Sequence, residues 1–264
     1  MHRFLFLFVF FSGYTAFAQS FHNINNQAFA RGEKFEFKIA FNSMLTGNLT
    51  AGRATLDVKP ENKLFNNRST FHAVGAGKTT GFIELFYKID DRLESYFDEK
   101  AFVSWQFVRH TRENNYKKDD IVDFRQNERI AVSLNKKTKV PANTQDIISA
   151  FYYARTLDIS ALLPGDFIPI PFFLDDSVYQ SKMVFKGRET VKTKLGRFRC
   201  LAIRPMVATG YTFDDPYPIT VWVTDDLNRI PILIESELSV GKVKIELTSY
   251  SGLANPVEAE VRKK

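Results

Sequence analysis

The sequence predicts an all-β protein, mainly antiparallel: a strongly curved sheet or half-barrel of about a dozen strands, with one buried helix near residues 145–157. Three observations carry this expectation. Apolar residues recur with a period of two along most of the chain, as where Phe35, Phe37, Ile39 and Phe41 alternate with Lys34, Glu36 and Lys38; that spacing gives a strand one dry and one wet face. Gly, Asn, Asp and Pro punctuate the chain at strand-length intervals, as turns between neighbouring strands require. A single stretch, Gln145 to Arg155, departs from the period of two.

After the first strand, Leu56 and Val58 belong to a second, with Gly47 and Gly52 marking a bulge or bend. Further strands are predicted over Ser69–Val74, a long run Phe82–Asp98, Val103–Phe107, Tyr116–Phe124 and Ile130–Leu134. In the long run Ile83, Leu85, Tyr87, Ile89, Leu93 and Phe97 share one face. The exceptional stretch follows Pro141-Ala142-Asn143-Thr144 and reads as a capped helix of about three turns with the acid Asp146 in its first turn. Phe151, Tyr152 and Tyr153 make it apolar nearly all round, so it has to be buried on most sides, as a plug or lid on the concave face. Pro169 and Pro171 make Phe167–Leu174 an edge strand or an extended crossover. The last strands fall at Tyr179–Val191, Phe198–Val207, Ile219–Thr224, Ile230–Leu238 and Val240–Leu247.

The first 18 residues have a different pattern. Arg3 precedes an unbroken apolar run from Phe4 to Phe11, and Ala16-Phe17-Ala18 closes the segment. This is the layout of a signal peptide cleaved after Ala18, too short to span a bilayer. The expected organisation is therefore a signal peptide over 1–18, a flexible segment over 19–31, one β domain over 32–252 and a flexible tail over 253–264. About 245 residues suit one large β unit. Export would permit a disulfide, but Cys200 is the single cysteine and reads as a buried small hydrophobe. The net charge of +6, from 36 basic and 30 acidic residues, is spread along strands with no basic patch, so no nucleic-acid partner is expected.

The chemistry of common enzymes leaves no trace in the motifs. There is no G-x-S-x-G elbow, and His72 and His110 stand alone in strands. No H-x-x-H, H-E-x-x-H or C-x-x-C occurs, so neither metal nor cofactor is expected. The string His72 to Thr79 ends like a phosphate-binding loop, but His72 replaces the first Gly and no helix follows, so it reads as a Gly-rich hairpin. Paired aspartates at 90–91, 119–120, 175–176, 214–215 and 225–226 mostly fit turns. Asp91 falls on the apolar face of its strand, where a buried carboxylate needs a cationic partner. The expected structural ion pairs join Asp91 or Asp226 to Arg155 or Arg229.

Three strings taken together resemble a known bacterial family: Gly81-Phe82-Ile83-Glu84-Leu85-Phe86-Tyr87-Lys88-Ile89-Asp90-Asp91 with Glu94-Ser95, the helix Gln145 to Arg155, and Trp222-Val223-Thr224-Asp225-Asp226-Leu227-Asn228-Arg229-Ile230-Pro231. With Gly32-Glu33 and Gly196-Arg197-Phe198-Arg199-Cys200, nearly the whole mature chain resembles the exported family of domain of unknown function 3108. The resemblance implies an envelope protein without an assigned reaction, and it carries over no catalytic residue. The architecture is also similar to the half-barrels of periplasmic lipoprotein and lipid carriers, an analogy of fold alone.

The leading functional reading is a periplasmic binding protein whose concave, Phe-rich face accepts an apolar molecule, a lipid or a lipoprotein; the chain has 26 Phe. The second is a non-catalytic envelope scaffold that binds protein through the edge near Phe167–Leu174. The third is a hydrolase built on Asp91 with Arg92, Glu94 or Ser95.

Overall fold

The computed structural model describes residues 21–43, 47–206, 217–238 and 241–261. The expected signal peptide, the Asp214-Asp215 pair and Arg262 to Lys264 lie outside the described residues.

The first half of the chain forms β1 (Lys34–Ser43), β2 (Gly47–Val58), β3 (Leu64–Phe65), β4 (Arg68–Thr79), β5 (Asp90–Asp98), β6 (Ser104–Glu113), β7 (Tyr116–Arg125), β8 (Ile130–Val132) and β9 (Lys137–Lys139). Two residues of β10 (Gln145–Asp146) lead into helix α1 (Ile147–Thr156). After it come β11 (Phe167–Pro169), β12 (Phe172–Leu174), β13 (Ser177–Tyr179), β14 (Lys182–Thr193), β15 (Gly196–Pro205), β16 (Ile219–Thr224), β17 (Pro231–Leu238) and β18 (Gly241–Ser251).

Fifteen strands join one antiparallel sheet in the order β11-β14-β15-β16-β17-β18-β1-β2-β4-β5-β6-β7-β8-β9, with β3 on β4. The end strands β11 and β9 do not pair with each other, so the sheet is a curved half-barrel and not a closed one. Most neighbours in space are close in sequence; the long-range pairing is at the centre, where β18 runs beside β1 from Lys34↔Ser251 to Asn42↔Lys242. The bulge expected near Gly52 is present: the register of β1 on β2 slips after Ile39↔Gly52.

Helix α1 starts where its cap puts it. The Asp146 carboxylate accepts from the backbone N–H of Ile148 at 2.8 Å and Ser149 at 2.9 Å, while the Ser149 hydroxyl accepts from the Asp146 N–H at 2.9 Å. That reciprocal pair makes Asp146 the N-cap itself, one residue ahead of the first turn where the sequence reading placed it. The helix packs on β4 beside Gly75, whose nearest side-chain neighbour is Ile148. Residues 72–79, expected as a hairpin, are instead the straight body of β4.

A second correction concerns the start of the long strand. Gly81 (φ +67°) turns the chain, Ile83–Leu85 forms a single 3₁₀ turn, and β5 begins only at Asp90. Phe82, Leu85 and Phe86 are consequently 63%, 79% and 70% exposed and share no inner face with Leu93 and Phe97.

Parts of both segments expected to be flexible are held against the sheet. Phe29 is buried, its ring centroid 4.6 Å from that of Tyr152 and 5.1 Å from that of Phe71. At the other end Arg199 N–H donates to Ala259 O at 2.8 Å and Val261 N–H to Arg197 O at 2.7 Å, so the tail adds to the edge of β15. Phe82–Tyr87 illustrates how apolar spacing alone misplaces a turn, and these two ends how a polar or short segment is still held by backbone bonds.

Helix α1 divides the interior. On one side Phe29, Phe71, Phe97, Phe102 and Phe124 surround Tyr152 and fill the space under β4–β8. On the other, Ile159, Ile170, Phe172, Met183, Phe185, Leu201, Ile203 and Val223 line β14–β16. A further cluster of Phe35, Phe37, Phe198, Ile230, Ile232 and Leu247 is covered by Leu253 and Val257 from the tail.

Asp98 braces the filled side. It pairs with the Arg68 guanidinium, accepts from Lys100 N–H at 3.0 Å and Ala101 N–H at 2.8 Å, and receives the Trp105 indole N–H at 3.2 Å. Burial would raise its carboxyl; Arg68 and these N–H groups outweigh that and hold it below the usual carboxylate range. A depressed folded value means stability that is present above the unfolded value and lost as pH falls through the folded one. Asp98→Asn is therefore expected to cost about 2 kcal/mol at pH 7 and to leave a flatter decline of stability below about pH 4. Urea unfolding at several pH values, followed by Trp fluorescence, checks this; an unchanged acid limb would contradict it.

Candidate ligand-binding site

The side of α1 away from the Phe cluster is open. A cavity of about 620 Å³ lies between the helix and the inner face of β14–β18, within the span of about 300–1,000 Å³ usual for ligand sites. Ala150, Phe151 and Ala154 form its helical wall, Ile170 and Phe172 its floor, and Met183, Ile203, Val221, Val223, Ile234 and Ile245 its sheet wall. Period-two spacing accounts for that wall: Ile219, Val221 and Val223 alternate along β16 and all face inward. The register then sets Val221 beside Ile203 and Ile234, and Ile234 beside Ile245. The Phe-rich face expected to receive a ligand is thus filled by the helix, and the open face is mostly aliphatic.

Two guanidinium groups reach this cavity. Arg155, on the last turn of α1, is buried with its partner Glu33, and the two make parallel bonds of 2.6 and 2.8 Å. Nε and Nη2 also donate to Asn228 O at 3.3 and 2.8 Å and Nη2 to Ala28 O at 3.3 Å, and the rings of Phe29, Phe35 and Tyr152 surround it within 5.2–5.4 Å of its Cζ. Arg229 is bound less completely. It has a left-handed backbone (φ 50°) in the turn between β16 and β17, and its one ion pair among the described residues is to Asp225 at 3.5 Å.

The expected pairings of Asp91 or Asp226 with Arg155 or Arg229 do not form. Asp226 accepts from Thr224 Oγ1 at 2.7 Å, Asn228 N–H at 3.1 Å and Ala259 N–H at 3.2 Å, fixing the turn and the tail. Asp91 is half-buried at the start of β5 and accepts from Arg112 N–H at 2.8 Å. Beside it the Glu113 carboxyl is pushed up by burial and then by Asp91. Of the helix residues, Phe151 lines the cavity and Tyr152 is fully buried in the Phe cluster, where burial pushes its phenol well up. Tyr153 packs against the clusters on both sides of the helix. Asp146 is buried, receiving Ser95 Oγ at 2.5 Å and Ser104 Oγ at 2.6 Å; burial pushes its carboxyl up against these bonds.

The proposed hydrolytic set is not brought together. Ser95 points to Asp146, Glu94 bonds His72 at 2.8 Å and Arg92 at 2.7 Å, and Asp91 is engaged with the backbone of Arg112. His72 sits between Glu94 and Glu61 and stacks on Tyr96, while His110 bonds Asp119 at 2.8 Å. Cys200 is buried, its thiol pushed up to about 12 by desolvation. Among the described residues no three His, Cys, Asp or Glu side chains cluster as metal ligands would. Sequence reasoning missed Glu33 and Asn228, the two anchors of Arg155; the one available signal was an acid at the threshold of the first strand.

Fold and site together define an open antiparallel half-barrel with one internal helix and an apolar cavity beside it. Residues 36–248 match the family described as "Protein of unknown function (DUF3108)", and the chain belongs to that family. A β-barrel-like protein of the family DUF1849 from Brucella abortus has the same fold. It superposes with a TM-score of 0.54 at 11% identity, over 88% of this chain and 99% of that one. A candidate lipoprotein from Parabacteroides distasonis (12% identity) and a candidate exported protein with YmcC-like fold from Bacteroides fragilis (11%) each give a TM-score of 0.36 over 88% of this chain and all of theirs. At that distance neither bears on function. No curated protein matches the chain. No helix among the described residues is long and apolar enough to cross a membrane.

Proposed function

We propose that the mature chain is an exported binding protein of the cell envelope that holds an apolar molecule, a lipid or the acyl part of a lipoprotein, in the cavity between α1 and β14–β18. One observation carries this reading: about 620 Å³ of space walled by aliphatic side chains next to a core that is otherwise filled. A void of that size lined by Ile, Val and Met gives water few partners, so an apolar occupant is favoured over solvent. Export rests on the N-terminal pattern of Arg3, the run Phe4–Phe11 and Ala16-Phe17-Ala18.

Native mass spectrometry of the gently purified mature protein, followed by organic extraction, tests it. A reproducible apolar adduct is the expected result, and a bare chain mass even after incubation with envelope lipids would overturn it. The scaffold reading keeps one support, the free edge of β11 with Phe167 57% exposed. The rest of that segment turns inward: Phe172 and Phe173 are buried, and β12 pairs with β10 and β13. In a pull-down from envelope extracts a stoichiometric partner that is lost on Phe167→Lys would favour it.

A further inference from the structure

The cavity is apolar along its length, with basic residues at its ends. Ile219, Val221 and Val223 follow one another on β16, so the sheet wall is about 13 Å long at roughly 3.3 Å per residue. Beyond Val223 the chain turns, with Thr224 N–H bonded to Ile230 O at 2.9 Å, and that turn carries Arg229 into the lining. The C-terminal end of α1 brings Arg155 to the same place, since its guanidinium bonds Asn228 O. One end of the cavity therefore presents two guanidinium groups, and the other is lined by Met183, Pro205, Met206 and Ile219 together with Ser181 and Lys182, whose ammonium lies 4.8 Å over the Phe167 ring.

The two cations differ in what they have left to give. All three side-chain nitrogens of Arg155 are engaged, by Glu33, Asn228 and Ala28. The Arg229 side chain is only 18% exposed, yet among the described residues it donates no hydrogen bond and has only the 3.5 Å pair with Asp225, an acid also shared with Arg188 at 3.5 Å. Arg has five N–H donors in a planar fork that matches a carboxylate. Asp158 and Asp226 add negative charge near Arg229, but Asp226 is spent on Thr224, Asn228 and Ala259, and Asp158 on the N–H of Ser160. A guanidinium in this state at the end of an aliphatic slot fits one class of ligand: a single apolar chain ending in an anionic, fork-accepting head.

Resting on the binding reading above, we propose that the ligand is a long-chain carboxylic acid, and that Arg229 receives its carboxylate while the chain lies along Val223, Val221 and Ile219. Arg229 then sets specificity for the acid over uncharged lipids of the same length. Hexadecanoic acid and hexadecan-1-ol, each displacing a fluorescent apolar probe from the mature protein, test this directly. The native chain binds the acid at least about tenfold more tightly than the alcohol, the range of one charged hydrogen-bonded contact. Arg229→Gln removes the preference, bringing the affinity for the acid down to that for the alcohol, whereas Arg229→Lys, a charge without the fork, keeps part of it. Unaltered thermal unfolding of both variants separates the head-group effect from misfolding. Equal binding of acid and alcohol by the native chain, or an equal loss of both in Arg229→Gln, overturns the assignment while leaving an apolar site standing. Binding of neither overturns the assignment and the binding reading together.

Discussion

Glu33→Gln is expected to lower the free energy of unfolding by about 3–5 kcal/mol, because it leaves the Arg155 guanidinium charged and without its carboxylate inside the protein. The pair is almost fully enclosed, with side chains 2% and 0% exposed, so solvent cannot replace the lost partner. The magnitude is a cost of breaking and not a measure of what the pair contributes over an apolar alternative. Removing both charges at once, as in Glu33→Leu with Arg155→Met, is accordingly expected to recover most of the loss. Urea unfolding of the two single variants and the double variant, followed by fluorescence of Trp105 and Trp222, measures the coupling. A single variant within about 1 kcal/mol of the native chain would show that the clasp is dispensable, a result in the range of an exposed pair.

Val221→Trp is expected to abolish retention of any apolar ligand while stability stays level or rises. Val221 sits midway along β16, between Ile203 and Ile234, and is one of the side chains facing the cavity. A larger ring projected there occupies the space that a ligand chain would take, and filling a pre-existing void without strain adds on the order of 0.5–2 kcal/mol. Stability and ligand content, which usually fall together, are thus predicted to move apart in this variant. Extraction and mass measurement give the second quantity and thermal unfolding the first. Undiminished ligand recovery from a folded Val221→Trp protein would place the ligand elsewhere.

The sheet was legible because its determinants are local. Alternation such as Phe35, Phe37 and Ile39 dictates a one-sided strand wherever it falls, and glycine beside it marks the bulge at Gly52. The helix was legible for the same reason, from Asp146 followed by a nearly continuous apolar run. What the sequence concealed was contact across distance. Glu33 and Arg155 are 122 positions apart, and no spacing rule connects them. Glycine carried two opposite meanings: at Gly81 it turns the chain out of the sheet, and at Gly52 it stays in a strand because a Cβ would lie 2.4 Å from Lys78 O. The abundance of Phe pointed to the concave face but not to which half of it would be occupied, because that depends on how α1 crosses the sheet. The site was accordingly visible as a composition and hidden as a place.

The meeting of β1 with β18 has a consequence for when the molecule can come into being. Lys34 pairs with Ser251, Asn255 Nδ2 reaches Gln27 O at 2.7 Å, and at Gly252 a Cβ would lie 2.1 Å from Gly32 O, so the two ends of the chain are in direct backbone contact. The Arg155 clasp likewise awaits Asn228. A chain made from its N-terminus can assemble β2 to β7 as successive hairpins, but its middle seam stays unzipped until the last strand arrives. Such long loops make closure slow. The half-finished sheet keeps both borders of that seam bare in the meantime, and the finished state is reached only after synthesis has ended. That timetable makes the arrival of the last strand, and not the early hairpins, the step that completes the fold.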